Sequence, residues 1–88
     1  MKDIEGKTTT GFEYKIEVKR LNDMELLEVF AELDTNPVAL PRALEMLFGK
    51  EGKKALYNHV RTESGEVPID SIEKELSEIL SSVDLLKN

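Results

Sequence analysis

The chain contains no cysteine and no tryptophan, and His59 is the one histidine among its 88 residues. Without thiols there is neither a disulfide framework nor a thiolate metal site. A zinc site built on a single imidazole would have to be completed by carboxylates alone, which is rare. No apolar run approaches the ~18–20 residues of a membrane-spanning helix. The N-terminal stretch MKDIEGKTTTGFE lacks the apolar segment of a secretory signal. These absences lead to the expectation of a cytoplasmic protein with no membrane partner.

Catalytic signatures are equally scarce. There is no GxSxG, no GxGxxG, no GxxxxGK[ST] and no HExxH. Glu51-Gly52-Lys53-Lys54 imitates a phosphate loop but has no flanking glycines. His59 stands beside Val60 near Arg61 and reads as a solvated or capping residue. Carboxylates recur on helix faces, as in Glu25/Glu28/Glu32 and Glu75/Glu78. Acid–base work needs a pocket that separates their pKa values, and a chain of this size has one thin core, burying about 60–65 % of its extended surface. Solvated faces account for these charges. The sequence therefore predicts no catalytic residue, no metal ligand and no cofactor site, in a protein that is not an enzyme.

What the chain does have is 40 % hydrophobic and 34 % charged residues, an ordinary mix for one globular domain over 1–88. Twelve basic against 18 acidic residues give a net charge of −6. Residues 1–20 carry five basic and four acidic groups, residues 21–65 five and eight, and residues 66–88 two and six. Such a surface repels a phosphate backbone, and the nearest basic cluster, Lys50, Lys53 and Lys54, is small and interrupted by Glu51. No nucleic-acid partner is expected.

The fold class predicted is mainly α, with about four short helices in a small bundle (22–86) behind an N-terminal β element (1–20). Phe12, Tyr14, Ile16 and Val18 alternate with charged residues, the period of a half-buried strand. Its partner is either the preceding segment, folded back as a hairpin, or a second copy of the chain, which would make these four residues a self-association strand. Asn22 reads as the cap of a helix over 23–33, with Glu25 completing a capping box and Leu26, Leu27, Phe30 and Leu33 facing inward. Asp34-Thr35-Asn36-Pro37 stops it.

Val38, Leu40, Ala43, Leu44, Leu47 and Phe48 form the next apolar face, on a helix opening at residue 40 or 41, because Pro41 fits a first turn. Gly49 ends it, and a third helix over 50–62 carries Ala55, Leu56 and Val60 inward. The last helix, over 68–84, has Ile69, Ile72, Leu76, Ile79, Val83 and Leu86 at steps of three and four, a heptad seam. That seam serves as core or, at its C-terminal part, faces a partner. Leu80 and Leu85 fall off its line, so Ile79, Leu80, Val83, Leu85 and Leu86 are the predicted partner-binding residues. The predicted core is Phe30, Leu33, Leu44, Leu47, Leu56, Val60, Ile72 and Leu76.

Five blocks in register carry a resemblance. They are Asn22-Asp23-Met24-Glu25-Leu26-Leu27-Glu28, Asn36-Pro37-Val38-Ala39-Leu40-Pro41, Met46-Leu47-Phe48-Gly49, Lys54-Ala55-Leu56-Tyr57-Asn58-His59-Val60-Arg61 and Gly65-Glu66-Val67-Pro68. In this order the chain resembles the tail assembly chaperones of long-tailed bacteriophages and prophages of Gram-positive hosts, over about residues 12–82. The resemblance implies a non-catalytic helper that binds the tape-measure protein, keeps it soluble and helps recruit tail-tube subunits. It implies a site of action in the bacterial cytoplasm and a homo-oligomer. The chain looks like the short form of a family in which many members also have a frameshifted long form. Two other readings of the residues stand beside it: a small helix-turn-helix-like regulator, and an acidic inhibitor that mimics nucleic acid.

Overall fold

The computed structural model describes residues 3–83 and is mainly helical, with a two-stranded hairpin at its N-terminal end. Strand β1, Ile4–Lys7, pairs antiparallel with β2, Glu13–Ile16, placing Ile4 opposite Ile16 and Gly6 opposite Tyr14. The preceding segment is thus the partner of the alternating strand. Gly6 leaves room for Tyr14: a Cβ there would meet the hydroxyl end of its ring, which would have to shift. The connection closes through Thr8 N–H to Phe12 O at 2.9 Å and Gly11 N–H to Thr8 O at 2.9 Å.

The strand is shorter than its alternation predicts. Val18 leaves the sheet and opens a single helical turn, α1, Val18–Leu21. Helix α2, Met24–Leu33, follows. Its cap is Asp23 rather than Asn22: the Glu25 N–H donates to Asp23 Oδ1 at 2.9 Å, and Asn22 closes α1. Both residue types cap well, so the sequence did not separate them. α2 buries Leu26 and Val29, while Leu27, expected inside, is exposed; Phe30 and Leu33 are half-buried against the core.

Asn36 caps a 3₁₀ turn, Pro37–Ala39, that leads directly into α3, Leu40–Val60. The two middle helices expected from the sequence are the halves of α3. They are separated at Gly49, whose φ of 79° and ψ of 171° no L-residue adopts readily. Arg20 braces the break. Its Nε donates to Glu17 Oε1 at 2.9 Å and its Nη1 to the Met46 carbonyl at 3.3 Å, one of the acceptors left without a partner at the end of the first half. Lys53 reaches back across the break to Glu45 Oε1 at 3.2 Å. The second half buries Leu56, with Val60 half-buried and Ala55 exposed, so Ala55 does not join the core.

Helix α4, Ile69–Val83, closes the domain. Ile72, Leu76 and Ile79 are buried with Ile16, Leu26, Leu44, Leu47 and Leu56 in one core, and the N-terminal part of the heptad seam is therefore internal packing. The loop before α4 is a built turn. Thr62 N–H donates to Glu66 O at 2.8 Å, Arg61 Nη1 donates to Gly65 O at 2.8 Å, and Gly65 sits at φ 103°. The Thr62 hydroxyl, donating to Glu66 Oε1 at 2.7 Å, holds that exposed carboxyl below the usual carboxylate range. Among the described residues no helix is long and apolar enough to cross a membrane.

Candidate functional site

Three segments far apart in sequence meet at an apolar cleft of about 380 Å³. One wall is the 3₁₀ turn and the start of α3, with Pro37, Val38, Leu40, Pro41 and Leu44. Tyr57, from beyond the Gly49 break, also lines the cleft. Val67, Ile69 and Ile72 supply the other wall, from the loop and the first turn of α4. Its position follows from the local chemistry. Pro37 and Pro41 start a turn and a helix but donate no N–H, and the 61–68 turn brings Val67 to the cleft that Tyr57 also lines. The residues at its mouth are wet: Val38 is 80 % and Ile69 66 % exposed. Both belong to the apolar faces read from the sequence, though neither is in the predicted core. Each lies in the first turn of its element, directly after a proline, where no preceding turn covers it. Met24 and Leu27 on α2 are the other large apolar residues left exposed among those described.

A second feature joins the hairpin to α4. Thr9 N–H and Thr9 Oγ1 donate to Glu78 at 2.7 and 3.0 Å. Thr10 Oγ1 donates to Glu75 Oε2 at 2.6 Å, and Tyr14 Oη meets Ser82 Oγ at 2.7 Å. Glu75, Glu78 and Ser82 share one face of α4 at steps of three and four. Glu75, expected on a solvated face, is only 4 % exposed, and its Oε1 has no hydrogen-bond partner among the described residues. The Thr10 hydroxyl spends its proton on Glu75, and therefore accepts from Thr8 Oγ1 at 3.1 Å and from His59 Nε2 at 3.0 Å. That arrangement assigns the proton to Nε2. His59 itself is exposed and lies against Phe12, ring centroids 5.4 Å apart. It ends up as an anchor for the hairpin turn.

Removing the Thr10 hydroxyl leaves both Glu75 oxygens unpaired, whereas removing the carboxylate leaves Thr10 its contacts with Thr8 and His59. Thr10→Val is therefore expected to destabilise by about 1–3 kcal/mol, and Glu75→Leu by clearly less. Thermal or urea melts of the two variants check the order.

The structure distributes the sequence-predicted binding residues unevenly. Phe12 and Ile16 of the expected self-association strand are buried in the core, Tyr14 is held between Gly6 and Ser82, and Val18 is half-buried in α1. Their side chains are occupied within one chain. At the end of α4, Ile79 is fully buried, and Leu80 and Val83 are half-buried against the same core. Leu85 and Leu86 lie outside the described residues. The Lys50, Lys53, Lys54 cluster is divided, since Lys53 pairs with Glu45 and lies 5.9 Å from the Tyr57 ring centroid. Among the described residues no group of three or more His, Cys, Asp or Glu is arranged to hold a metal ion.

Comparisons of the chain with protein-family models, with curated proteins and with solved structures find no match.

Proposed function

We propose that this chain is a non-catalytic helper of phage tail assembly, which holds the tape-measure protein in soluble form and helps recruit tail-tube subunits around it in the bacterial cytoplasm. The observation that carries this reading is where the resembling blocks come to lie. Asn36–Pro41 contributes Pro37, Val38, Leu40 and Pro41 to the cleft, Lys54–Arg61 contributes Tyr57, and Gly65–Pro68 contributes Val67. Residues scattered over some thirty positions of sequence share one apolar surface.

The physics of holding agrees with such a surface. A tape-measure chain awaiting assembly is long, helical and partly apolar, and an amphipathic helix is recognised by a groove that takes its anchors at i and i+3 or i+4. A cleft of about 380 Å³ lies at the small end of the range for binding pockets and suits one or two large side chains. Covering Val38 and Ile69 gains about 1.5–3 kcal/mol each at most, so one copy binds weakly and lets go. Many copies along one polymer act together, and the net charge of −6 keeps the loaded complex apart from others.

Val38→Glu with Ile69→Glu tests this reading. Both side chains are mostly in water, so the melting temperature should stay within a few degrees of the parent's. Binding of helical tape-measure segments should fall by roughly tenfold or more, corresponding to at least ~1.4 kcal/mol. Equal binding by parent and variant would remove the cleft from the account.

A further inference from the structure

We infer that β1 is a self-association edge, on which a second copy of this chain lays its own β1 antiparallel, centred on Gly6, so that two hairpins join into one sheet. Among the described residues β2 is the only strand beside β1. The ladder shows which backbone groups of β1 are unused. Thr8 N–H donates to Phe12 O, which follows on from the register that sets Lys7 opposite Glu13. Thr8 and Phe12 are therefore a bonded pair, and bonded and non-bonded pairs alternate along an antiparallel ladder. Ile4 and Gly6 turn their N–H and C=O toward β2, while Glu5 and Lys7 turn theirs outward. No proline or bulge blunts this edge. β2 does not offer the same opening: α3 packs against it, and Phe48, Glu51 and Gly52 share a cleft with Glu13, Tyr14 and Lys15.

Charge selects the occupant and its register. Glu5 and Lys7 are exposed, and neither has an ion-pair partner among the described residues. Centred on Lys7, a second β1 would bring two ammonium groups together at the axis. Centred on Glu5, it would bring two carboxylates together, and Asp3, the acid then facing Lys7, lies outside the strand and is paired with Lys15 at 3.4 Å. Centred on Gly6, Glu5 faces the second copy's Lys7 and Lys7 faces its Glu5, each pair exchanging both N–H···O bonds. Within each hairpin Lys15 stands opposite Glu5 and Glu13 opposite Lys7, so the signs alternate across the whole joined sheet. Glycine meets glycine at the axis, and neither brings a Cβ to the approach. The same patch serves both copies, so the contact closes as a two-fold dimer. It uses neither the cleft nor a client, so it and the holding role can fail separately.

Sedimentation over a concentration series tests the inference. The parent should reach a dimer. Glu5→Lys alone and Lys7→Glu alone each set like charges in both facing pairs and should dimerise at least roughly tenfold more weakly. When the two variants are mixed in equal amounts, every facing pair is again one lysine and one glutamate. A mixed dimer should return, identified by a mass tag on one variant. Each change also sets like charges across its own hairpin, but mixing would not repair a weakened fold. Lys7→Pro removes an outward N–H at a place where an edge strand tolerates proline, and it should dimerise as poorly as the charge variants. A parent that stays monomeric, as an edge kept for a strand of another protein would give, overturns the inference. So does any of these variants dimerising like the parent, or a mixture with no mixed dimer. Association lost only in Met24→Ser/Leu27→Ser or Val38→Glu/Ile69→Glu also overturns it, by placing the contact on α2 or in the cleft. Circular dichroism confirms that every chain compared is folded.

Discussion

Leu47→Ala is expected to lower the stability of the domain by about 2–5 kcal/mol, the range for truncating a fully buried leucine. Leu47 has no exposed surface, and it lies among Ile16, Leu44, Leu56 and Ile79, which come from the hairpin, both halves of α3, and α4. A cavity there loosens all of these elements at once, and their tight packing leaves little freedom to collapse into it. Small domains have only about 5–15 kcal/mol in all, so the loss should show as a large drop in both the urea midpoint and the melting temperature. A melt close to the parent's would mean that α3 does not pack as described.

Gly49→Ala is expected to cost about 1–3 kcal/mol, although alanine is the better helix former. At φ 79° and ψ 171° a Cβ strains the backbone, and it would come to 3.2 Å from Arg20 Nη2. The neighbouring change Lys50→Ala, at an exposed position, serves as control and should be near neutral. The Gly49 change also has a functional side. If the strain is relieved by straightening α3, Tyr57 moves relative to Leu40 and Leu44 and the cleft loses part of its lining. Client binding should then fall along with stability, which distinguishes this variant from Val38→Glu/Ile69→Glu, where binding alone falls.

Much of this architecture is written in local chemistry. The alternation from Phe12 to Ile16 marks a strand, Gly49 marks the break between two apolar faces, and Pro41 marks the first turn of a helix. In each case a short-range steric rule decides the outcome. Where two local choices were nearly equal in energy, tertiary contacts chose: Asp23 over Asn22 as cap, and a helical turn over a longer strand at Val18.

The cleft is a different matter. Periodicity puts Val38 and Ile69 on apolar faces because it records spacing and not what stands opposite. Opposite them here is a gap between the start of α3 and the loop before α4. Its lining comes from both sides of the break at Gly49 and from residues that follow the turn at Gly65. Glu75 was missed for the same reason. Its burial comes from a hairpin turn 65 residues away in sequence that lays Thr10 over it. No local pattern announces such a neighbour.

The central claim is that the domain acts through the Val38–Tyr57–Ile69 cleft by taking up a helix of the tape-measure protein. The most direct measurement is a titration of the isotope-labelled chain with overlapping helical segments of the tape-measure protein from the same genome, followed by amide and methyl resonances. The account predicts saturable shifts on Val38, Leu40, Leu44, Val67, Ile69 and Ile72, with the hairpin residues Ile4 and Ile16 unmoved. Segments that bind with shifts centred elsewhere, or a full set of segments that produces none, would contradict it.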